Sequence, residues 1–104
     1  MKKYAISFGD SDKYIVTFQG SKEEFENSDK LRVITDRVKD YLKETFPTGG
    51  YADAIELNIE DGDGKDYEDL ETAGIDALLK SVKRQVEVLR EGEELNNNAP
   101  FDQL

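Results

Sequence analysis

Tyr4-Ala5-Ile6-Ser7-Phe8-Gly9-Asp10-Ser11-Asp12-Lys13-Tyr14-Ile15-Val16-Thr17-Phe18 is the stretch on which the fold turns. Tyr4, Ile6 and Phe8 alternate with Ala5 and Ser7, and Tyr14, Val16 and Phe18 alternate with Ile15 and Thr17. A period of two sends successive side chains to opposite faces, so each run predicts a half-buried strand. Gly9-Asp10-Ser11-Asp12 lies between them. Asp and Ser bond nearby backbone and Gly tolerates positive φ, so this segment turns the chain. A β-hairpin is expected.

Working outward, Gly20 ends the second strand and Ser21-Lys22-Glu23-Glu24 has the Ser-x-x-Glu form of a capping box. It predicts a short helical turn carrying Phe25. Ser28 is a second N-cap, after which Leu31, Ile34, Val38, Tyr41, Leu42 and Phe46 recur at spacings of three and four. That is one stripe of a helix. Charged pairs on its other faces contribute only about 0.2–0.5 kcal/mol each, so the apolar stripe must hold it. Pro47 and Gly49-Gly50 stop it. Ile55, Leu57 and Ile59 alternate with Ala54, Glu56 and Asn58 and predict a third strand, followed by a turn at Asp61-Gly62-Asp63-Gly64.

Tyr67, Leu70, Ile75, Leu78, Leu79, Val82, Val86 and Leu89 trace a last helical stripe to about Glu91, with Gly92 suited to the C′ position. Gly74 costs about 1 kcal/mol against Ala inside a helix, so a break or late start near Thr72 fits this stretch. The order β-β-α-β-α predicts an α+β two-layer sandwich, a three-stranded mainly antiparallel sheet with two helices on one face. Residues 1–92 form the expected domain and 93–104 a polar C-terminal tail. Setting the third strand beside the first keeps every pair antiparallel, whereas setting it beside the second demands a right-handed parallel crossover. The first arrangement is preferred because antiparallel sheets tolerate water on one face. That open face would carry Ala5, Ser7, Ile15, Thr17, Glu56 and Asn58.

The chain has 104 residues, 14 Lys+Arg against 24 Asp+Glu, and no Cys, His or Trp. Without Cys there is no disulfide framework, thiolate metal site or cysteine nucleophile. Without His there is no imidazole base or His-ligated metal. Its 37% apolar content supports only a thin core. No apolar run reaches the ~18 residues of a membrane span, and the basic start Met1-Lys2-Lys3 reaches Gly9-Asp10 too soon for a secretory h-region, so no leader is expected. A cytoplasmic location is the default expectation. A net charge of −10 argues against direct nucleic-acid binding through a basic groove.

Nearly all of that charge is local: residues 51–76 carry ten acids against Lys65 alone, a net −9, while the remainder is close to balanced. The run Glu60-Asp61-Gly62-Asp63-Gly64-Lys65-Asp66 opens like a calcium loop. Counted from Asp61, however, Lys65 takes the fifth position, Asp66 replaces the required Gly and Thr72 replaces the bidentate Glu. A plainer reading accounts for part of the charge. Asp66, Glu68, Asp69 and Glu71 suit a helix N-terminus, where each acid contributes about 0.3–1 kcal/mol, and the Asp-Gly pairs suit turns.

Asp53, Glu56 and Glu60 are left over, the last two about 13 Å apart if they share a strand face. With Asp61, Asp63 and Asp66 they define the expected partner-binding surface, one complementary to a protein with a basic surface. No catalytic, metal or cofactor residues are assigned. Exposed carboxylates lack the burial that separates acid from base, and the serines have no His. An enzyme is therefore not expected. A non-enzymatic interaction or regulatory module is the leading expectation. The alternatives are a self-associating structural protein (monomer or homodimer remaining open), a divalent-cation binder, or a DNA-mimic inhibitor. Tyr51 beside Gly49-Gly50 is expected to be an exposed contact aromatic, and Phe101 and Leu104 to pack back or serve as a docking peptide.

Overall fold

The hairpin forms in the computed structural model as β1 (Lys2–Phe8) and β2 (Tyr14–Phe18), paired antiparallel with Tyr4 opposite Val16 and Ile6 opposite Tyr14. The structure describes the backbone of residues 1–102 and the side chains of residues 1–92. On the other side of β1 lies β3 (Leu57–Asp61), also antiparallel, with Ile6 opposite Ile59 and Ala5 opposite Glu60. The sheet order is β2-β1-β3. The expected all-antiparallel α+β architecture is present.

Helix α1 (Lys22–Glu26) starts at the predicted capping box. Ser21 Oγ accepts from Glu24 N–H and Glu24 Oε1 accepts from Ser21 N–H, both at 3.1 Å. Its Phe25 is fully buried, stacked on Tyr4 with ring centroids 4.8 Å apart. Ser28 caps α2 (Asp29–Thr45) through Leu31 N–H. Leu31, Ile34, Val38 and Leu42 turn inward from α2 to meet Tyr4, Ile6, Phe8 and Val16 in one cluster, completed by Leu78, Leu79, Val82 and Val86 from α5 (Ile75–Asp102). Each fully buried aliphatic chain is worth roughly 1.5–3 kcal/mol of transfer free energy, which makes this cluster the main support of the fold.

Several expectations are corrected. Residues Tyr51–Ala54 form a short α3, so Ile55 caps a helix and β3 starts at Leu57, two residues late. Tyr51 is half-buried, its ring edge-on to Phe46 at 5.9 Å, and not an exposed contact residue. The break anticipated near Thr72 does occur: a short α4 (Leu70–Ala73) precedes Gly74, whose φ of 88° suits glycine. Acids Asp66 and Glu68 therefore lie before a helix rather than in its first turn. Only Asp69 caps α4, accepting from Glu71 N–H at 2.9 Å. Helix α5 continues past Gly92, where positive φ is not required of it, and Leu89 is 49% exposed despite its place on the stripe. The expectations for Phe101 and Leu104 lie outside the described side chains.

Candidate functional site

Because β3 and β2 are opposite edges of the sheet, the chain must cross β1 to travel from Asp61 to α4. Helices fill one face, so residues 62–69 cross the other as a strap. Gly62 N–H donates to Lys3 O at 2.9 Å, and Ile15 N–H donates to Glu68 O at 2.9 Å, making a one-residue parallel bridge between Ile15 and Asp69. Gly62 is buried so tightly that a Cβ there would stand 2.8 Å from Ile15 Cδ1 and 2.9 Å from the Tyr4 carbonyl carbon.

The strap closes much of the face that alternation assigned to solvent. Ala5 is 1% exposed, Ser7 4% and Ile15 4%, so the expected open display of these three is overturned. Small side chains on the central strand permit the close approach, and the Lys13 side chain lies along the cover. Lys13 Nζ sits 2.9 Å from Glu60 Oε1 and 5.6 Å from the Tyr67 ring centroid. The hydrogen bond from Lys13 holds the Glu60 carboxyl below its ordinary range, and the same bond raises the Lys13 ammonium above its own.

The six acids of the expected surface have different surroundings. Glu60 is half-buried and paired across 47 positions to Lys13. Asp53 on α3, Glu56 just before β3, Asp61 at the end of β3, and Asp63 and Asp66 in the strap are exposed. Asp61 Oδ1 accepts from Asp63 N–H at 3.0 Å, a local turn that brings these two residues together. Glu56 and Asp61, five residues apart along extended chain, are separated by about 16 Å. Among the described residues no group of three or more acids is placed to hold a metal ion. The carboxylates are thus strung along β3 and the strap instead of converging.

Two features had no side-chain signature. The first is the outer edge of β3. Glu56 O accepts from Gly9 N–H and Gly62 N–H donates to Lys3 O, so even-numbered residues of this segment bond to β1. In an antiparallel ladder the alternate residues then point their backbone groups away. For Leu57, Ile59 and Asp61 no backbone partner occurs among the described residues. The second is an apolar cavity of about 490 Å³ between β2, α2 and α4, lined by Ile15, Val33, Ile34, Leu70 and Ile75. Val33 there is 59% exposed, and its place off the helical stripe was the one sequence clue.

No helix among the described residues is long and apolar enough to cross a membrane. Comparison with known protein families, curated proteins and solved structures finds no match.

Proposed function

We propose that this protein is a non-enzymatic interaction or regulatory module of the cytoplasm that receives a basic partner protein on the acidic surface around residues 53–71. One observation carries the reading: five of the six carboxylates (Asp53, Glu56, Asp61, Asp63 and Asp66) are exposed, and among the described residues only Glu60 of the six is ion-paired, to Lys13. A dispersed row of like charges suits a broad complementary surface more than a point ligand. Such complementarity steers encounter and excludes partners of the wrong sign. The same charge opposes pairing two copies of this surface, which disfavours the self-associating alternative through this region.

The test is capture of partners from a lysate on immobilised protein while salt is raised. Screening shortens from about 10 Å at 0.1 M to about 3 Å at 1 M, so partners held by these carboxylates should elute across that range. A Glu56→Lys/Asp61→Lys variant should release them already at low salt. If every captured partner stays bound to that variant, the acidic-surface reading is wrong.

A further inference from the structure

We propose that the outer edge of β3 takes an extended segment of the partner, bearing lysine or arginine at alternate positions, as a fourth strand of the sheet. The inference rests on the acidic-surface reading and adds how the partner binds. Among the described residues, three successive outward positions, Leu57, Ile59 and Asp61, offer unpaired N–H and C=O groups, a template for another strand. The register from Tyr4–Asp61 to Phe8–Leu57 is unbroken, so no bulge twists this edge away.

Charge is the one blocking device this edge carries. β3 reads Leu-Asn-Ile-Glu-Asp, with neither Pro nor Lys. Its charges are carboxylates, and carboxylates select a strand by sign instead of repelling every strand. Two copies of β3 in parallel register would set Glu60 and Asp61 against their own kind, which is unfavourable across a ladder. An incoming strand with cations meets acid on both faces. Above the sheet stands exposed Glu56, beside Glu60 already paired with Lys13. Below it, a shallow cavity of about 400 Å³ adjoins Leu57 and is lined also by buried Leu31 and by exposed Glu26 and Asp36. Arg32 at that cavity is occupied by Asp29 at 3.0 Å. Half-buried Leu57 and Ile59 give the added strand apolar contact between the charges. This is strand addition, in which main-chain bonds supply affinity and alternate side chains supply specificity.

The probes are a short peptide of alternating lysine and valine and the same peptide N-methylated on every backbone nitrogen. Composition and charge match, but the second cannot complete a ladder. The unmodified peptide should bind at least about tenfold more tightly, the gain from the main-chain hydrogen bonds that only it can complete. Amide exchange at Leu57, Ile59 and Asp61 should slow on its addition. Equal, salt-sensitive binding of both peptides with unchanged edge amides would overturn strand addition and leave the acidic-surface reading intact. Failure of both peptides to bind at low salt would overturn both readings. Edge amides that become protected as protein concentration rises, with no peptide present, would make a second copy the occupant and overturn the basic-partner assignment.

Discussion

The two edges of this sheet are finished in opposite ways. On β2 the strap covers Ile15, takes its N–H with the Glu68 carbonyl, and Lys30 Nζ donates to the Thr17 carbonyl at 2.8 Å. On β3 the outward backbone groups have no partner among the described residues, and acids flank them. The difference follows the strands' own chemistry. Tyr14-Ile15-Val16-Thr17-Phe18 is aromatic, β-branched and uncharged, the composition that makes a bare edge an aggregation hazard. Leu57-Asn58-Ile59-Glu60-Asp61 carries two carboxylates and can remain uncovered without pairing to itself. A segment of chain is invested where a bare edge is dangerous, and charge alone guards the edge left available.

The contrast predicts unequal costs for equal truncations. Ile15 is 4% exposed beneath the strap, and Ile15→Ala should lose about 2–5 kcal/mol, the range for buried Ile-to-Ala changes. Ile59 is only half-buried on the open edge. Ile59→Ala should therefore fall below that range, since less area returns to water and less cavity remains. Urea unfolding of the two variants side by side measures the difference. Equal losses would mean that the strap does not distinguish the edges energetically.

Gly62→Ala tests the cover itself. Its Cβ would meet Ile15 Cδ1 at 2.8 Å and, more seriously, main-chain atoms of Tyr4 and Ala5 at 2.9 and 3.0 Å. Main chain within a central strand cannot swing aside as a side chain can. Overpacking of this kind costs about 1–3 kcal/mol. For a domain this size, each 1 kcal/mol lowers Tm by roughly 4–8 °C. A melting temperature equal to the parent's would show that the strap can lift from β1 at little cost.

Much of the architecture was legible because it rests on local periodicity. Alternation over residues 4–18 marks the hairpin, Ser21/Glu24 and Ser28 mark two helix starts, and Leu31 to Phe46 marks the longer α2. Helix α3 was not legible, since four residues are too few to display a 3.6-residue period, and Ile55 kept the strand-like alternation going one step too far. The strap was hidden for another reason. Its course depends on backbone bonds from Gly62 to Lys3 and from Ile15 to Glu68, which no side-chain pattern records. The candidate site divides the same way. Composition located the acids, but whether each is paired depends on distant contacts such as Lys13 to Glu60, and the free edge of β3 consists of main chain alone.

The smallest expected effect concerns that ion pair, the pin between the covered side and the acidic side. Its groups are 42% and 44% exposed, so water screens the attraction. The Lys13 hydrogen bond lowers the Glu60 pKa, so this carboxyl stabilises the fold fully above the ordinary range near pH ~4.3, and the contribution is lost as pH falls through the lower folded value. Lys13 is raised chiefly by the same bond, so its contribution is full below the ordinary lysine range near pH ~10.4 and is lost as pH rises through the folded value. Glu60→Gln should therefore melt slightly below the parent at about pH 7, with the gap closing well below pH ~4. A gap that survived acid would assign Glu60 to packing against the strap, since a neutral carboxyl can no longer draw Lys13 across the sheet.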